Sequence, residues 1–223
     1  MIDFVAARRI MVDSQVRTSD VTDLRLIAAM LALPRERFLP AEQADLAYLD
    51  FDIPVAAAGA GAPPRRLLKP MVLAKLLQAA EIAEGDHVLD VGCATGYASA
   101  VMARLTRSVV GLEQDAALAE LARDTLRALG ASQVQVVSGP LADGWPPQAP
   151  YDVILLNGAS EIAPKTLLRQ LKPGGRLVGV LSRGPAGKAM LYRSIGGESG
   201  GRPIFDAAAP LLPGFSATPA FVF

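Results

Sequence analysis

With 223 residues, 51% of them apolar, and a formal net charge of zero, the chain is long enough for one full core with a modest appendage and too short for two large domains. Its 22 basic residues are matched by 22 acidic ones, which excludes a strong electrostatic footprint for nucleic acid or an anionic membrane. The lone Cys93 excludes an internal disulfide, and no apolar run reaches the roughly 18–20 residues that span a bilayer. The mixed opening from Met1 to Arg9 does not read as a signal peptide, so a cytoplasmic setting is expected.

Residues 1–17 read as helical. Asp20 is placed to cap a helix from Val21, in which Leu24, Ile27, Ala28 and Leu31 recur at helical spacing until Pro34 stops it. The segment from Pro34 to Asp50 reads as loop, and residues 1–54 as a helical extension packed on the core. Residues 55–64, almost all Ala, Gly and Pro, offer little to pack, so 55–69 is expected to be a flexible loop. Pro70 suits the first turn of the next helix, where Leu73, Leu76, Leu77 and Ala80 share a face and Gly85 marks the end.

From His87 onward the pattern is regular, and residues 70–223 are expected to form the ligand-binding domain. Strands near 87–91, 108–113, 133–138, 151–156 and 176–182 alternate with helices near 97–106, 116–129 and 161–171. Such alternation predicts an α/β fold, three αβα layers around a mostly parallel, Rossmann-like sheet. Residues 189–195 and 217–223 are two further strand candidates, expected to pair antiparallel at one edge.

The most informative stretch is Val88 to Tyr97, a strand running into Asp90 and then a small-residue turn, Gly92-Cys93-Ala94-Thr95-Gly96, before a helix. Counted from Gly92, the later glycine places of G-x-G-x-x-G hold Ala94 and Tyr97, and no G-x-x-x-x-G-K-[ST] stretch offers a phosphate loop. An acid before the turn repels a diphosphate and suits a cation. A second acid, Glu113, ends the next strand where ribose hydroxyls are bound in such folds. Two acids without a phosphate cradle describe S-adenosylmethionine, the alternative being a plain strand-turn-helix unit whose glycines serve only chain reversal. Ligands of open sheets lie outside the C-terminal strand ends, which is where Asp90, Glu113, Gly139 and Asn157 fall.

These residues resemble the protein-L-isoaspartate O-methyltransferase family over nearly the whole chain. The N-terminal part is similar in Arg17, Asp23, Ala29-Met30, Leu33 to Pro40 and Ala47 to Asp50. The core is similar in Val88 to Tyr97, Glu113, Gly144-Trp145, Ala149 to Asp152 and Gln170 to Val178. The resemblance implies a seven-stranded class I methyltransferase fold with an N-terminal extension, S-adenosylmethionine as cofactor, S-adenosylhomocysteine as product, and methylation of isoaspartyl carboxylates in damaged proteins. It marks Leu67, Asp90, Gly92, Cys93, Gly96, Glu113, Gln114, Gly139, Pro140, Leu141 and Asn157 as cofactor-contacting residues, and Arg66, Leu68 and Lys69 as acceptor-contacting ones. No catalytic residue and no metal ligand is assigned, and a monomer or dimer is expected.

Three positions depart from the family pattern. Its T-I-S-x-P motif reads Arg66-Leu67-Leu68-Lys69-Pro70 here, so leucine stands where a serine binds the acceptor carboxylate. Its G-D-G adenine loop reads Gly139-Pro140-Leu141, with Asp143 three residues past Pro140, and the central glycine of the turn is Ala94. Losing a hydrogen bond to a charged group costs about 1.5–3 kcal/mol, or roughly 10–100-fold in rate. Arg65, Arg66 or Lys69 offers a charge-assisted substitute, unless the three are a solvated basic patch. Methyl transfer to a carboxylate already ionised at neutral pH needs no general base. His87, at the opposite end of its strand, is expected to be structural. Three functions remain open on the sequence: the family reaction, transfer to another acceptor, and a binding homologue without turnover.

Overall fold

Asp3 and Asp23 each accept hydrogen bonds from two backbone amides beyond them, which starts α1 (Phe4–Met11) and α2 (Leu24–Ala32). The computed structural model describes residues 2–56, 64–182, 187–196 and 198–217. Asp20, the expected cap of α2, instead turns the chain in a left-handed conformation at φ 62°, and the helix starts three residues later than expected. Beyond Pro34 the expected loop winds into two 3₁₀ turns, Arg35–Phe38 and Ala41–Leu46.

A short strand β1 (Ile53–Pro54) pairs antiparallel with β2 (Arg66–Leu67). This corrects the expectation of a loop running free to residue 69. Residues 57–63 lie outside the described residues, but Arg65, Leu67 and Leu68 are buried. The two leucines join the core and Arg65 has a carboxylate partner. Pro70 opens α3 (Pro70–Ala80), which buries Val72, Leu73, Leu76, Leu77 and Ala80. This helix stops at Glu81, in the left-handed region at φ 50°, before reaching Gly85.

The central sheet contains β3 (His87–Val91), β4 (Ser108–Glu113), β5 (Val134–Ser138), β6 (Tyr151–Ser160), β7 (Leu171–Ser182), β8 (Gly187–Ile195) and β9 (Glu198–Asp206). Their order across the sheet is β5-β4-β3-β6-β7-β8-β9, parallel as far as β7. The helices α4 (Tyr97–Met102), α5 (Ala116–Ala128) and α6 (Lys165–Leu168) connect the strands, the first and last shorter than their apolar patterns suggested. β8 pairs antiparallel with β9, while the strand candidate at 217–223 lies outside the described residues but for its first residue. Gly196, at φ 59°, allows a tight reversal directly after β8, and the glycines of β9 hide its strand character in the sequence. Residues 218–223 lie outside the described residues.

One apolar cluster joins Met11, Leu26, Met30 and Phe38 to Leu68, Leu73, Val101 and Val153, so the N-terminal helices and one sheet face share a core. Leu89, Val110, Ile154, Leu156, Leu177 and Leu212 fill the other face. From β7, Arg176 donates to the carbonyls of Ala80 and Glu81, each at 2.6 Å, and pairs with Asp86 at 2.6 Å. It thereby satisfies carbonyls that the end of α3 leaves without helical partners.

Candidate active site

The turn at the tip of β3 reverses the chain through three left-handed residues, Gly92 (φ 83°), Ala94 (φ 50°) and Gly96 (φ 93°). Glycine adopts this region freely, whereas alanine is strained there. The amides of Gly92 and Cys93 both donate to the Leu112 carbonyl at the end of β4, at 2.8 and 3.1 Å. The Ala94 amide donates to Glu113 Oε2 at 2.7 Å, so a carboxylate helps hold the strained residue.

The two acids picked out by spacing both lie at this tip, and both are fully buried. Asp90 accepts from Ser99 Oγ at 2.6 Å and from Asn157 Nδ2 at 3.1 Å. Burial outweighs these hydrogen bonds and pushes its pKa up to about 6. Glu113 accepts from the amides of Ala94, Gln114 and Asp115 at 2.7, 2.9 and 3.2 Å. Arg65 completes the set, its Nη2 at 2.8 Å from Oε2 and its Nε at 3.3 Å from Oε1. The same Nη2 donates to the Gly92 carbonyl at 2.9 Å. Arg65 is therefore neither a surface cation nor free for an acceptor, which corrects both readings of it from the sequence.

The remaining candidates divide into two groups. Leu67 is buried in β2, Cys93 is buried in the turn, and Gln114 contributes its amide to Glu113. Burial raises the Cys93 thiol well above its ordinary value, so it is an inert part of the turn. Gly139 donates from its amide to the Glu113 carbonyl at 3.2 Å, and Pro140 leads into the buried Leu141. Asp143, offered as a substitute for the missing adenine-loop acid, is exposed. The segment expected to contact the acceptor, Arg66 to Lys69, directly follows Arg65. Leu68 turns into the core, Arg66 donates to the Asp52 carbonyl at 3.0 Å, and the Lys69 amide donates to Asp52 Oδ1 at 2.8 Å.

Three contributors escaped the sequence reading. Ser99 lies three residues beyond Gly96, so its place on the inner face of α4 was readable, but its bond to Asp90 was not. Arg35, fully buried, donates to the carbonyls of Ala47 and Leu68 at 2.8 Å each and stacks 4.5 Å over Tyr97. Burial lowers its pKa. Leu212, more than fifty residues beyond Asn157, lies over the turn: a Cβ at Gly92 or Gly158 would meet it at 3.0 or 2.7 Å. His87 bonds Ser108 and the Gln148 carbonyl and stacks on Tyr151 at the far end of β3.

The family model for protein-L-isoaspartate (D-aspartate) O-methyltransferases matches residues 7–193. The Methylorubrum populi protein-L-isoaspartate O-methyltransferase is 40% identical over 188 residues, 84% of each chain. This chain belongs to the protein-L-isoaspartate O-methyltransferase family. A Rhodopseudomonas palustris relative, protein-L-isoaspartate O-methyltransferase 1, is 40% identical over 175 residues, covering 78% of this chain and 69% of the relative. A solved protein-L-isoaspartate O-methyltransferase superposes with a TM-score of 0.77 at 26% identity, over 94% of this chain and 65% of that longer one. A Plasmodium falciparum protein solved with S-adenosyl-L-homocysteine has the same fold, with a TM-score of 0.73 at 16% identity and 95% of this chain covered.

As a member of this family the chain has the class I S-adenosylmethionine-dependent methyltransferase fold. Its donor set fits that cofactor in kind, with one carboxylate at the tip of each of the first two parallel strands and an open-backbone turn between them. The backbone amides of Ala94, Gln114 and Asp115 orient Glu113 together with the Arg65 fork. What lies over the turn in this structure is the chain itself, through Arg65 and Leu212.

Proposed function

We propose that this chain transfers a methyl group from S-adenosylmethionine to the carboxylate of an isoaspartyl residue in a damaged protein. The observation that supports this reading is the pair of buried carboxylates, Asp90 and Glu113, flanking the Gly92–Gly96 turn in a chain of this family. Asp90 takes the cationic amine of the methionine end, and Glu113 takes the ribose hydroxyls. Gly92, Cys93 and Gly96 let backbone approach the ligand, Leu67, Gln114, Gly139, Pro140 and Leu141 border it, and Asn157 steadies Asp90. When bound, the cofactor supplies an electrophilic methyl on a good leaving group. The protein's share is alignment and exclusion of water, since an ionised carboxylate needs no base.

Arg66 and Lys69 are the cations left near the acceptor side, with Leu68 between them supplying no hydroxyl. The burial of Leu68 favours a second reading, in which the acceptor differs from that of relatives with a serine at this place. A third, cofactor binding without turnover, rests on the same position together with Pro140 and Ala94. Incubation with labelled S-adenosylmethionine and an isoaspartyl peptide tests the first reading, and absence of transfer at high enzyme concentration rejects it. Label appearing on a different acceptor class selects the second, and calorimetric binding without any transfer selects the third. Balanced charge supports protein substrates with neither nucleic acid nor membrane as partner. Among the described residues no helix is long and apolar enough to cross a membrane. We place the protein in the cytoplasm, as a monomer or dimer.

A further inference from the structure

Glu113 has two acceptor oxygens, and in this structure both are taken. Its backbone donors approach from the turn and from the start of the segment leading to α5. The remaining approach is filled by the Arg65 fork, Nε to one oxygen and Nη2 to the other. A vicinal ribose diol makes the same demand on a carboxylate, two donors side by side, one for each oxygen. The fork and the diol are therefore alternatives at Glu113. Arg65 is also wedged against the turn, its Nη2 only 2.9 Å from where a Cβ would stand on Gly92. With 7% of its side chain exposed, it is packed into the crevice and not laid across its rim.

The backbone of Arg65 is held as firmly as its side chain. Its carbonyl accepts from the amides of Val55 and Ala56 at 2.9 and 3.3 Å, and the next two residues form β2. Leu68 and Lys69 follow directly. Displacing the guanidinium from Glu113 therefore disturbs the hairpin that leads into the acceptor segment.

We infer that Arg65 is an intramolecular competitor for the ribose seat on Glu113, setting cofactor affinity and transmitting cofactor entry to the β1–β2 hairpin. This rests on the proposed cofactor reading above. A ligand that needs a minor conformer binds more weakly by the fraction of molecules in that conformer. A minor state populated at about 1–10% lowers affinity by about 10–100-fold.

The test is calorimetric titration of S-adenosylhomocysteine into the wild-type chain and into Arg65→Ala, Arg65→Gln and Arg65→Lys, each checked for folding by circular dichroism. Removing the fork in Arg65→Ala or Arg65→Gln should tighten binding by about tenfold or more. Arg65→Lys, which keeps a charge but loses the two-point donor, should fall between. Folded Ala and Gln variants that bind no more tightly than the wild type overturn the competitor and leave the cofactor reading intact. If no folded protein in the set binds at millimolar ligand, both fall. Hydrogen exchange on the wild type needs no variant to fold. Saturating S-adenosylhomocysteine should speed exchange at the Val55 and Ala56 amides, and unchanged protection there with ligand bound also overturns the inference.

Discussion

Asp90 carries a stability penalty that depends on pH, and Asp90→Asn isolates it. The carboxyl is fully buried between Ser99 and Asn157, and its pKa rises from an ordinary 3.8 to about 6. In the unfolded chain the group ionises near its ordinary value. Between pH 4 and 6 the folded state therefore holds more proton than the unfolded one, and stability falls as pH rises through this window. The slope approaches about 1.4 kcal/mol per pH unit, so the full penalty above pH 6 is about 3 kcal/mol. Asparagine keeps the shape and the bond from Asn157, and the Ser99 hydroxyl can rotate from donor to acceptor. Urea unfolding of both proteins, followed by circular dichroism from pH 4 to 8, should show Asp90→Asn gaining about 2–3 kcal/mol on wild type above pH 6.5, with the gain shrinking below pH 5. Subtracting the two curves cancels other titrating groups. A difference independent of pH, or one growing toward acid, refutes the argument. The same substitution should weaken S-adenosylhomocysteine binding, because the amine loses its countercharge.

Ala94→Gly relieves a left-handed alanine and, after allowing for glycine's freer unfolded state, should stabilise the chain by about 0.5–1 kcal/mol in urea unfolding. Arg35→Ala leaves the carbonyls of Ala47 and Leu68 without their charged donor and strips the cation from Tyr97, so a loss of about 3–4 kcal/mol is expected by the same assay. Leu68→Ser restores the hydroxyl of the family motif in a buried apolar setting. It should cost about 3 kcal/mol or more and bring no gain in transfer to an isoaspartyl peptide. A gain in transfer at unchanged stability would show that this side chain faces the acceptor after all.

The first two parallel strands and the turn between them were legible because their signals are local. Apolar runs ending in Asp90 and Glu113, with glycines between, lie within about twenty-five residues of sequence. β9 went unseen for the opposite reason, since its first half is built on glycine and proline positions that carry no alternating pattern and are recruited by pairing with β8. Asp20 and Asp23 are equally good caps by composition, but Gln78 on α3 donates to the Asp20 carbonyl and accepts from the Thr22 and Asp23 amides, contacts that no local pattern announces. Arg65 looked like a surface cation because the residue that buries it is 48 positions away. No periodicity links an arginine in an Ala/Gly/Pro stretch to an acid at a strand tip, and a still longer separation in sequence hid Leu212.

The clamp that Arg176 places on the tail of α3 has a counterpart at the head of the helix. Tied to β7 through the carbonyls of Ala80 and Glu81, the rod cannot slide or swing at its base. At its head the Lys69 amide donates to Asp52 Oδ1 and Arg35 holds the Leu68 carbonyl, while Pro70 at the first helical position gives up no helical hydrogen bond. A rod pinned at both ends transmits a push from the hairpin to Asp52 and Arg35 before it reaches the sheet.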